Sequence, residues 1–146
     1  RVFAVLANEP GCMGGALTRG KTGETLEDIC DSFPYFFAPR LRDYVGREAE
    51  LPFDQHFLLA LNAPRKLYVA SAAQDFWADP ISEFLGCAAA SCAWEQLGAP
   101  GLLGADRLPR PGTVLSGGMI GYHLREGEHY LSRYEWQRFL DFLEEA

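Results

Sequence analysis

Apolar and polar positions divide this chain into short strand-length runs and longer periodic stretches. Val2–Ala7 (VFAVLA) is a continuous apolar run, as expected of a strand buried on both faces. A second buried strand is predicted over Lys66–Ala72, introduced by the break Ala63–Pro64–Arg65. Val114–Leu124 is a third strand candidate, interrupted by Gly117, Gly118 and Gly121. Between these runs the pattern is helical. Thr22–Cys30 has mixed helical character, Arg40–Glu50 reads as a charged helix, and Pro52–Leu61 as a helix with proline in its first turn. Asp79 can cap a further helix that opens on Pro80, has Phe84, Ala88, Cys92 and Glu95 along one side, and stops at Gly98. Ser32–Pro39 and Ala99–Gly112 are rich in breakers and read as loops. Ser132 and Glu135 form a capping box, after which Trp136, Phe139, Leu140 and Leu143 trace one apolar helical face.

Strands alternating with helices predict parallel pairing and an α/β layer fold. Such folds bind ligands beyond the carboxyl ends of their strands. The residues that follow the three strands are therefore the ones to weigh. They are Asn8 and Glu9, then Gln74 and Asp75, then the stretch from His123 to His129.

Composition narrows the picture. The 146 residues fit one domain, and a composition 48% hydrophobic and 23% charged allows a sizeable core. A formal net charge of −7 makes nucleic acid and anionic membranes poor partners. No apolar run approaches the ~20 residues that span a bilayer. The start carries neither the basic region nor the small-residue cleavage site of a signal peptide. It opens without methionine, already inside a predicted strand, as a fragment or processed chain of a longer protein would. Cys12, Cys30, Cys87 and Cys92 show no CxxC pairing, so buried thiols are expected ahead of a zinc site, with a single disulfide as the alternative.

Four constellations could carry chemistry. Gly15–Thr22 (GALTRGKT) satisfies G-x-x-x-x-G-K-[ST], yet NEPGCMG separates it from the strand that a phosphate cradle should leave directly. It stands as a rival nucleotide-binding reading. Asp75 follows a buried strand where an acid can orient a histidine, and Asp79 is the better helix cap. His129 lies in a polar loop between the third strand and the last helix, where a catalytic base can reach the sheet edge. His123 competes for that role, and His56 reads as structural. In NEPGCMGGA, glycines allow close approach of a substrate, and Glu9 projects into the same region. None of Ser32, Ser71, Ser82, Ser91, Ser116 and Ser132 stands on a sharp strand-to-helix elbow, and nothing marks Cys12 as an activated nucleophile. Acid and histidine occur in the chain order of α/β-hydrolases, which puts the nucleophile upstream of Arg1.

LPFDQHFLLALNAPRKLYVASAAQDFWADP, EFLGCAAASCAWEQLG and IGYHLREGEHYLSRYEWQRFLDF resemble the C-terminal half of bacterial glucuronoyl-esterase-like proteins of the fifteenth carbohydrate esterase family. GCMGGALTRGKTGET is similar to that family's S-G-x-G-G-A-x-x-R-x-x-x-G-E, which accounts for Gly14, Gly15, Arg19, Gly23 and Glu24 without a nucleotide. The resemblance covers nearly the whole chain. It implies a partial α/β-hydrolase fold, residues 1–146 being the C-terminal part of one domain whose N-terminal half is missing. It implies hydrolysis of glucuronic acid esters that join xylan to lignin, by a serine on a G-C/H-S-R-x-G-K elbow absent from this sequence, so the chain alone is expected to lack esterase activity; the alternative is a non-catalytic relic or carbohydrate-binding fragment. The oxyanion hole would come from beside that serine and the elbow arginine. His129 falls on the histidine of the family's G-x-H motif. The acid is either Asp75, the usual hydrolase position, or Glu9, which resembles the glutamate of fungal members; NEPGCMGG carries one residue more than the family's E-S-G-x-G-G. Trp77, with Glu24, matches sugar-site positions, and Cys87 matches a cysteine that is disulfide-bonded in fungal members. No metal or organic cofactor is implied. The implied partners are a carbohydrate ester and either the rest of the same fold or a second copy, in a secreted or periplasmic setting.

Overall fold

The computed structural model describes residues 3–8 and 23–145. Among the described residues four strands form one sheet in the order β1 (Ala4–Asn8), β2 (Lys66–Ala72), β4 (Ile120–Arg125) and β3 (Val114–Leu115). β1, β2 and β4 are parallel, so their carboxyl ends share one edge, while β3 runs antiparallel to β4. The third predicted strand is thus a hairpin of two. Its turn contains Gly118, where a Cβ would lie 1.9 Å from the Gly101 carbonyl oxygen. Only glycine lets the two backbones come that close.

The described helices are α1 (Leu26–Ser32), α2 (Gln55–Ala60), α3 (Pro80–Gln96) and α4 (Arg133–Glu144). α1 starts at Leu26 because Thr25 and Asp28 close a capping box. The expected helix over Arg40–Glu50 is instead two short 3₁₀ turns, Pro39–Tyr44 and Glu48–Glu50, separated at Gly46 with φ +73°. Pro52 lies outside the helix predicted to contain it. Asp54 accepts from the Gln55 N–H at 2.7 Å and caps α2 there.

α2 and α3 cover one face of the sheet, packing Leu59, Phe84, Cys87, Ala90 and Trp94 on Leu67, Val69, Ile120, Tyr122 and Leu124. α4 covers the other, with Phe142 and Tyr134 against Tyr68 and His123. Each large apolar side chain buried completely contributes about 1.5–3 kcal/mol relative to leaving it in water. The side of α3 that packs is not the one traced from the sequence. Phe84 is buried, but Cys92 and Glu95 are exposed, and Cys87, Ser91 and Trp94 face the sheet. Alanines surround this helix, so apolarity does not set its phase. The indole of Trp94 does, donating to the Arg65 carbonyl at 3.0 Å. On α4 the capping box forms as expected, but Trp136 and Leu140 stay about half exposed while Glu135 and Phe142 are buried. Cys30, Cys87 and Cys92 are free thiols, the last exposed. Cys12 and the Gly15–Thr22 motif lie outside the described residues.

Candidate active site

Two loops leave the carboxyl edge side by side because β2 and β4 are neighbours, with Ala72 opposite Arg125. Their pairing continues past the strand ends. The Ala73 N–H donates to the Arg125 carbonyl at 2.8 Å and the Gln74 N–H to the Gly127 carbonyl at 3.0 Å. The Gln74 side-chain amide adds a bond to Glu126 Oε2 at 3.0 Å. This zipper holds Asp75 on one loop against His129 on the other. His129 Nδ1 lies 2.7 Å from Asp75 Oδ2. Asp75 Oδ1 accepts from the Ala78 N–H at 3.2 Å, which fixes the carboxylate.

The environments of the two groups differ. The Asp75 side chain is 4% exposed and the His129 side chain 66%. A buried carboxylate on Nδ1 orients the ring and favours the tautomer with the proton on that nitrogen. Nε2 is then the nitrogen that can exchange a proton with a reacting group.

Trp77 sits two residues after Asp75 and is more than half exposed. Its indole N–H donates to Glu24 Oε1 at 3.1 Å, and its carbonyl accepts from the Glu24 N–H at 2.7 Å. Glu24 is itself buried. Loss of water raises its carboxyl pKa, with the Asp28 charge acting the same way and the Trp77 hydrogen bond opposing. The pair fixes an exposed aromatic plate two residues past the acid. Such a plate suits the apolar face of a sugar.

His123, the competing histidine, is completely buried on the α4 side of the sheet, 3.0 Å from the Tyr68 hydroxyl. It is removed from the loops as a base. Glu9 falls outside the described residues, and of Asn8 only the backbone, the end of β1, is described. Two residues of these loops were given no role in the sequence. Gln74 bridges the loops, and Arg125 meets Glu135 in a buried ion pair at the root of the histidine loop. The arginine closing the apolar run IGYHLR was the available signal.

Residues 1–98 match the family model for fungal glucuronyl esterases. The chain belongs to the glucuronyl esterase family. The carbohydrate esterase MZ0003, from an unknown prokaryotic organism, is 41% identical over 142 residues, 97% of this chain and 32% of that protein. A promiscuous CE15 esterase from a marine bacterial metagenome superposes with a TM-score of 0.89, at 40% identity, over 98% of this chain and 36% of that one. A glucuronoyl esterase from Solibacter usitatus does so with a TM-score of 0.85, at 40% identity and the same two coverages. This chain therefore spans about a third of the length of the relatives it matches. Its sheet with flanking helices is the corresponding part of their α/β-hydrolase fold.

Proposed function

We propose that the protein hydrolyses carboxylic esters of glucuronic acid in plant cell-wall carbohydrate, with His129 as general base and acid and Asp75 as its orienting carboxylate. Residues 1–146 are then the C-terminal part of one hydrolase domain. The nucleophile is a serine outside these residues. The observation that supports the reading is the 2.7 Å hydrogen bond that the buried Asp75 carboxylate accepts from Nδ1 of the exposed imidazole.

In this scheme the serine Oγ attacks the uronate carbonyl carbon and its proton passes to His129 Nε2. Asp75 stabilises the imidazolium that results, without itself taking the proton. As the tetrahedral intermediate collapses, the C–O bond to the alcohol breaks and Nε2 protonates the leaving oxygen. Nε2 next takes a proton from water, whose oxygen attacks the acyl-serine carbonyl. Collapse frees the uronic acid, and the serine recovers its proton from Nε2. Trp77, braced by Glu24, supplies the wall on which the sugar ring rests.

The test uses the protein carrying this chain together with a serine elbow, for example with the chain grafted over the matching third of the Solibacter usitatus relative. Turnover of a benzyl glucuronate ester is expected. His129→Ala is expected to lower kcat by about 10³-fold or more, and Asp75→Asn by a comparable factor. Turnover that survives the loss of His129 would end the proposal. Retained turnover in Asp75→Asn alone would transfer the acid's role to Glu9.

A further inference from the structure

We infer that Arg125 is the positioning residue for the loop that carries His129, a role that rests on the reading of His129 as the base. Arg125 ends β4 and is 8% exposed. Its guanidinium is engaged along every edge. Nε donates to Glu135. Nη1 donates to the Glu126 carbonyl at 3.0 Å and Nη2 to the Tyr130 carbonyl at 2.7 Å. The Tyr130 ring covers its face, 3.9 Å from Cζ to the centroid.

The two carbonyls lie on either side of His129 in the chain. The turn from Glu126 to Tyr130 is therefore folded around one planar fork. Gly127 makes that turn possible. Its φ is +105°, and a Cβ there would sit 3.0 Å from Nη1. Glu135 secures the fork from behind, since its other oxygen accepts from the Ser132 N–H at 2.6 Å and so ties Arg125 to the start of α4. The histidine is thus held at two points. Its ring is anchored on Asp75, and the backbone just after it is anchored on Arg125. A lysine can keep the charge opposite Glu135, but an ammonium cannot span both carbonyls or stack on the tyrosine in the same way.

The experiment is nitrogen-15 NMR of histidine-labelled chain, comparing wild type with Arg125→Lys. In the wild type, His129 is expected as the Nδ1–H tautomer with a low-field proton from its bond to Asp75. In Arg125→Lys that proton should broaden away and the tautomers mix, while His123 stays bonded to Tyr68 and reports an intact sheet. If the lysine variant also disturbs His123, the double variant Arg125→Met with Glu135→Met removes both buried charges together and decides the matter. An unchanged His129 tautomer in a folded variant overturns the inference. In the elbow-bearing protein, Arg125→Lys should lower kcat roughly 10²-fold and leave KM within about twofold. Loss of the tautomer in a protein whose turnover ignores His129 would instead sink the esterase reading and leave the positioning role standing.

Discussion

His123 shows what burial does to a single side chain. It is completely buried, and loss of water lowers its pKa to about 4, with Arg125 and Arg138 adding to the fall and Glu135 opposing it. Burial keeps it neutral. Burial raises the Tyr68 pKa, so that hydroxyl stays protonated and donates to Nδ1, while Glu135 Oε1 lies 3.9 Å from Nε2. Between the two pKa values the unfolded chain binds a proton that the folded chain refuses. Stability is then complete above pH 6.5 and falls as pH drops from 6.5 towards 4. The loss is of order 3 kcal/mol over that window. Urea unfolding at pH 7.5, 5.5 and 4.5 should show the decline, and His123→Gln should remove most of it. Depression of the Glu135 carboxyl adds a loss of the same sign, below pH 4.5. Asp75 and His129 were legible as candidates because a polar residue just past a buried strand has few structural reasons to be there. Arg125 was not, because its work depends on carbonyls of residues that only the folded turn brings round it.

At the scale of elements, β2 and β4 depend on a pair that no single-strand pattern reveals. Gly121 stands directly opposite Tyr68. A Cβ there would meet the Tyr68 ring at 2.4 Å and Phe142 at 3.0 Å. Gly121→Ala should therefore destabilise the fold by about 1–3 kcal/mol, visible as a lowered Tm, through crowding of the layer under α4. In the sequence that glycine looked like an interruption of the strand. It is a space kept for an aromatic ring on the next one. The elements that were read correctly have local causes: the Ser132–Glu135 box, the Asp79–Pro80 start, the apolar run of β2. Those that were misjudged have distant ones. Tyr68 receives Phe142 rather than Trp136, and the Arg125 guanidinium draws Glu135 inward, so α4 turns a charged residue to the sheet.

For the molecule as a whole, the distribution of apolar surface is uneven. Phe33, Tyr35, Phe36, Phe53, Phe57, Leu58 and Leu61 are all exposed, and Phe33 stacks on Phe36 at 4.8 Å. Among the described residues β1 has a neighbour on one side only. Both features favour association of this chain when it is studied alone. Sedimentation should give an average mass above 16.2 kDa that rises with concentration. A single species at that mass across the range would refute the expectation.

The adjacency of β2 and β4 has a consequence for inheritance. Asp75 and His129 are 54 residues apart in sequence, yet each hangs from one of two hydrogen-bonded strands, with the loops stitched together beyond them. The couple therefore travels as a cassette. Recombination that exchanges everything ahead of β2 would carry the hydrogen-bonded pair across whole, with Trp77 beside it in the chain, and would replace Glu24, the partner of that indole.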